Sequence, residues 1–213
     1  MLDNMALEDA DENPITPSDV KTFRMQVARY VSTFFSPITV SIPAIFLVAL
    51  YHQEPSSLFF AAIVVLFLSI GPMLYILVGV SLGKFSDIDV SIRSQRVGPF
   101  LFGITSSLIG FFILQLNNAP KNLETVLLTA SILGFILMII TFWWKISMHA
   151  SGLSGTVTFL AVLYGRMVLL AFLLVALVGW SRVVLRRHTT AQVIGGAALS
   201  AAITLVMLML RGI

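Results

Sequence analysis

The chain has 213 residues, 58% of them hydrophobic and 11% charged, with a net charge of +3 and no cysteine. A soluble domain devotes about a quarter of its residues to charge, so a mean hydropathy of +0.98 excludes a water-facing globule and places most of the chain in lipid. The absence of cysteine removes disulfides, thiolate nucleophiles and cysteine-ligated metals. No basic stripe interleaved with aromatic residues points to nucleic acid as a partner.

Residues 1–20 hold six of the ten acidic residues together with Pro14 and Pro17, the composition of a solvated, disordered tail and the opposite of a basic secretory leader. Residues 21–32 read in two ways. They form an interfacial helix with Lys21, Arg24 and Arg29 toward lipid headgroups, or they are the first turns of the first span. From 33 to 213 the chain reads as one transmembrane domain. Apolar runs of about 20 residues predict spans near 33–51, 57–80, 99–116, 124–144, 149–165, 167–186 and 190–211. The fold class expected is therefore all-α, a polytopic bundle of six to seven spans. Pro37 and Pro43 would kink the first span, Gly165-Arg166 would turn the chain after the fifth, and Gly195-Gly196 in the last would form a close packing face.

Alternating the spans puts ten of the thirteen lysines and arginines on the side of the N-terminus, and Lys121, Arg166 and Arg211 on the other. The excess of positive charge makes the first side cytoplasmic. Three polar stretches fall there: Asp87-Ile-Asp89-Val-Ser-Ile-Arg93-Ser-Gln-Arg96, Lys145-Ile-Ser147-Met-His149, and Ser181-Arg182 through His188 to Gln192. Ionisable groups near membrane depth are expensive and default to a functional reading. Headgroup anchoring explains any one arginine, but explains three stretches with two histidines less well.

The chemistry these residues suit is phosphate handling. Arginine forks match phosphate oxygens and keep their charge when buried. One histidine can attack phosphorus while a second protonates the leaving oxygen. Arg182 and His188 are six residues apart, about 600° of helical rotation, so they converge only if the helix breaks between them. Thr189-x-x-Gln192 fits a capping box that would start a new helix there and leave His188 at its N-terminus, where an anion is favoured.

Ser181-Arg182, five residues, then His188 resembles the third motif, S-R-x5-H-x3-D, of the type-2 phosphatidic acid phosphatase superfamily, which includes lipid phosphatases and vanadium haloperoxidases. Ser147-x-His149-Ala resembles its second motif, P-S-G-H, and Arg96 aligns with the arginine of its first, K-x6-R-P. The resemblance covers residues 57 to 205. It implies His188 as the nucleophile of a phosphohistidine intermediate, His149 as general acid, and Arg182, Arg96 and Ser147 as phosphate ligands, with no metal and no cofactor. The chain departs from the pattern at Asp89 for the lysine, Val97 for the proline, Met148 for the glycine and Gln192 for the aspartate. Lys84, Arg93 or Lys145 is left to supply the missing cation. Gln192 is left to orient His188 without a charge, or only to close the capping box.

The expected activity is release of phosphate from a lipid phosphate or isoprenoid diphosphate at the membrane face, in what reads as a bacterial inner membrane. Two alternatives stand beside it. Asp87-x-Asp89 suggests a magnesium-dependent intramembrane prenyltransferase, and the departures suggest a non-catalytic lipid-binding protein.

Overall fold

The computed structural model describes residues 23–51 and 54–213. The acidic tail and the first two residues of the 21–32 segment lie outside them. Among the described residues, eight helices carry the fold: α1 (Phe23–Phe34), α2 (Pro37–Tyr51), α3 (Ser57–Ser81), α4 (Val97–Leu116), α5 (Lys121–Thr141), α6 (Met148–Tyr164), α7 (Phe172–Val184) and α8 (Thr190–Arg211). Short 3₁₀ turns at Arg93–Arg96 and Arg166–Ala171 lead into α4 and α7. No strand occurs among the described residues, so the fold is all-helical.

Among the described residues, five segments are long and apolar enough to cross a bilayer: α3, α4 and α7 with their leading turns, α5 and α8. The α1–α2 pair, bent by 41°, makes a sixth. The remaining span expected from sequence is α6, whose 17 residues sit at the short end of the crossing range. At one end of α6, the backbone N–H of Ser147 donates to the carbonyl of Gln192 at the start of α8. At the other, the Tyr164 hydroxyl donates to the Leu47 carbonyl (2.6 Å) and its ring meets Tyr51 edge-on. It therefore runs between the two ends of the bundle. Leu58, Phe59, Leu66, Leu74 and Leu77 are exposed along α3, an outward face that suits hydrocarbon and not water.

The breaks have local causes. A π-helical turn at Leu66–Ile70 precedes Pro72, which has no N–H to return to the helix. Ser106 Oγ of α4 donates to the Phe67 carbonyl at 2.6 Å and satisfies an acceptor at this break. Residue 23 onward is not detached from the bundle. Met25 and Ala28 of α1 pack against Leu185 and Trp180, and Val31 and Phe35 pack beside Val175 and Val178 of α7.

Helix α6 is the hub, in contact with α2, α7 and α8. Small residues permit this. A Cβ at Gly155 would lie 2.7 Å from Ser200 Oγ, and one at Gly196 would lie 3.0 Å from the Ser147 carbonyl oxygen. The Gly195-Gly196 packing face is thus real, and it holds α8 against Trp144 and the N-terminus of α6 within one chain. The turn at Gly165 is formed with φ +92°, a backbone conformation that suits glycine alone.

Candidate functional site

The loop after α3, the turn before α6 and the break between α7 and α8 meet at one end of the bundle. They bring Arg96, Lys145, Ser147, His149, Arg182, His188 and Gln192 together, all buried. Each is placed by its own backbone.

Helix α7 ends at Val184, and Arg186 takes a positive φ of +53° that turns the chain back. The backbone N–H groups of Arg187 and His188 both return to the Arg182 carbonyl, so residue 188 folds under residue 182 instead of continuing the helix. Thr189 then caps α8 in a complete capping box. Its hydroxyl accepts from Gln192 N, and Gln192 Oε1 accepts from Thr189 N at 3.1 Å. The same Oε1 lies 3.2 Å from His188 Nδ1. Gln192 thus closes the capping box and also lies within hydrogen-bonding distance of the ring. With Nδ1–H donating to that oxygen, Nε2 is the ring nitrogen left with its lone pair.

Ser147 caps α6. Its Oγ accepts from Ala150 N. This cap sets His149 in the first turn of α6. Arg96 is held from both sides, Nε donating to the Val90 carbonyl (2.9 Å) and one terminal nitrogen to the Ile146 carbonyl (3.2 Å). Val90, buried and at φ +46°, is a strained non-glycine residue in the loop that leads into α4. Arg93, three residues before Arg96 in the same 3₁₀ turn, is buried as well.

The electrostatics are lopsided. Burial pushes the His188 pKa far below its ordinary range, and the positive charges of Arg96, Arg182 and Lys145 act in the same direction. The ring is thus neutral at physiological pH, the form with a nucleophilic lone pair. Arg182 uses one terminal nitrogen for Ser32 Oγ (2.7 Å) and Asp89 Oδ2 (2.9 Å), while its buried Nε has no hydrogen-bond partner.

Two participants escape a linear reading of the sequence. Ser32 comes from α1, 150 residues away from the arginine it touches. Asp89 is the counter-ion of Arg182. Burial alone would raise its carboxyl pKa, but Arg182 and Arg187 hold it below the ordinary value. Arg187 in turn donates to Ser91 Oγ of the same loop. Asp87 is turned elsewhere, accepting from the hydroxyls of Ser86 and Ser91. The two aspartates thus face different partners, and among the described residues no group of three or more histidine, aspartate or glutamate side chains is placed to hold a metal ion.

A cavity of about 320 Å³ opens beside Asp89, Arg96 and His149, with Ile38, Leu68 and Phe100 among its apolar walls. His149 lines it, and His188 does not. A polar head of one carboxylate, one arginine and one imidazole over a hydrocarbon wall is the shape of a site for an amphipathic anion. No protein-family model, curated protein or solved structure matches the chain.

Proposed function

We propose that the chain is a membrane-embedded phosphatase that releases phosphate from a lipid phosphate or isoprenoid diphosphate through a phosphohistidine at His188. The observation that carries this reading is the cluster of three buried cations, Arg96, Lys145 and Arg182, acting on one neutral imidazole. Arg182 is buried with a part-exposed Asp89 as its counter-ion, and a phosphate group would add a second partner for it. The open donor at Arg182 Nε gives that phosphate a hydrogen bond the protein itself does not fill.

In this reading Nε2 of His188 attacks phosphorus in line with the leaving oxygen, while Gln192 Oε1 holds Nδ1–H and fixes the ring. Arg96, Arg182 and the Ser147 hydroxyl neutralise the equatorial oxygens. His149, on the cavity wall, gives a proton to the departing lipid alcohol, or to the departing phosphate of a diphosphate. Water then attacks the phosphohistidine, with His149 taking its proton, and inorganic phosphate leaves. No metal or cofactor enters these steps. The substrate reaches the site from the surrounding lipid, with the motif loops on the cytoplasmic face of a bacterial inner membrane.

The test is a trapping experiment. Brief reaction with a lipid phosphate labelled at phosphorus, quenched in alkali where phosphohistidine survives, should leave label on the wild-type chain and none on His188→Ala. Label retained by the variant would sink the assignment of the nucleophile.

A further inference from the structure

Helix α1 buries one narrow stripe, Met25, Ala28 and Ser32, spaced three and four residues apart. Met25 and Ala28 cluster with Trp180, Val184 and Leu185 at the end of α7. Val31 and Phe35 pack beside Val175 and Val178 farther along the same helix. Ser32 lies between these two apolar contacts and is the polar member of the stripe.

A buried hydroxyl in such a contact is costly unless it is bonded. Elsewhere in the bundle the remedy is local. The hydroxyls of Thr125, Ser131, Thr141, Ser151 and Thr158 each donate to the carbonyl four residues back. Ser32 is matched across helices instead, its Oγ accepting from Nη1 of Arg182 at 2.7 Å. The same nitrogen donates to Asp89 Oδ2 at 2.9 Å. A terminal guanidinium nitrogen carries two hydrogens, so Nη1 is fully committed, one hydrogen to each oxygen.

The two acceptors differ in kind. Asp89 is charged and part-exposed, and its carboxylate offsets the charge of Arg182. The Ser32 hydroxyl is buried and neutral, so it orients the guanidinium and leaves the charge in place. A phosphate arriving at Arg182 competes with the carboxylate, an anion like itself, and not with the hydroxyl.

We infer that Ser32 is a positioning residue, which from α1 fixes the Arg182 guanidinium in the orientation that meets phosphate. The inference rests on the phosphatase reading for the phosphate itself. It adds to the three polar stretches a fourth segment, which acts on substrate only through Arg182.

The experiment measures phosphate release from phosphatidic acid and from an isoprenoid diphosphate by purified full-length protein in detergent. Calorimetric binding of inorganic phosphate runs alongside. Ser32→Ala removes the acceptor and changes the shape of the stripe little. It should lower kcat/KM about tenfold and weaken inorganic phosphate by the same factor, the order of one hydrogen bond to a charged group. In an Asp89→Ala background Nη1 has only Ser32, so Ser32→Ala should cost about threefold more there than in wild type. Met25→Ala is the control for packing. It loosens the contact of α1 with α7 seven residues from Ser32, and should lower the melting temperature with kcat/KM near the wild-type value. An unchanged kcat/KM in Ser32→Ala, an equal cost in both backgrounds, or a matching loss from Met25→Ala would overturn the inference and leave the phosphatase reading intact. If neither substrate is hydrolysed, the phosphatase reading fails and binding of inorganic phosphate decides. Affinity about tenfold weaker in Ser32→Ala upholds the role of Ser32, and equal or absent binding overturns it.

Discussion

Arg182 shows how much one residue can be asked to do here. It is buried, it bonds Ser32 and Asp89, and it keeps one N–H unused. Asp89 stands where a substrate phosphate would compete for the same guanidinium. A part-exposed ion pair is worth up to about 1 kcal/mol, so Asp89→Asn should lower KM by roughly two- to fivefold and strengthen inhibition by inorganic phosphate in the same proportion. A raised KM would instead make Asp89 a group that positions the arginine for substrate. His188 yields a second expectation, in stability. Its folded pKa lies well below the ordinary 6.5. As pH falls through 6.5 the unfolded chain takes a proton there that the folded chain refuses, so stability falls with acid. Between pH 7 and pH 5 the melting temperature of wild type should drop further than that of His188→Ala. Equal drops would mean that the folded imidazole accepts the proton as readily as the unfolded one.

At the scale of elements, the site depends on how closely α8 approaches the start of α6. Gly196 permits it. A methyl group there would press on the Ser147 carbonyl, a backbone atom, at 3.0 Å and on Ser151 Oγ at 2.7 Å. Gly196→Ala should therefore destabilise the protein by about 1–3 kcal/mol and reduce phosphate release with it, because Ser147 and His149 move together. Gly152→Ala is the comparison, since its Cβ would meet only Pro37 at an ordinary 3.7 Å. Thermal unfolding in detergent that ranks the two variants the other way would mean that the α6–α8 contact is not what holds the motif loops. The break that starts α8 was legible in advance because its cause is local: Thr189 and Gln192 lie within one turn and close a capping box. The α1–α2 bend was legible for the same reason, through Pro37. The course of α1 was not. Its own residues, Phe23 to Ser32, suit a headgroup surface as well as a protein face, and what decides is Trp180 and Leu185, far along the chain.

Across the whole molecule, apolar runs announced an all-helical bundle, and clustered cations announced which end would hold the polar site. The contents of that site were only partly readable. Arg96, Lys145, His149, Arg182 and His188 carry their chemistry in their side chains and fall in three short stretches. Asp89 looked like a lost lysine because its partner, Arg182, lies 93 residues away. The cavity was invisible, since the apolar residues that line it have the same composition as those that face lipid. This polar end is proposed to release phosphate from a lipid through His188. The most direct measurement is phosphate release by the detergent-purified protein from phosphatidic acid, a monoacylglycerol phosphate and an isoprenoid diphosphate in the presence of EDTA, for wild type and His188→Ala. Release should persist with the chelator and fall at least a thousandfold in the variant. Release that survives the loss of His188, or a folded wild type that releases none from any of the three, would contradict it.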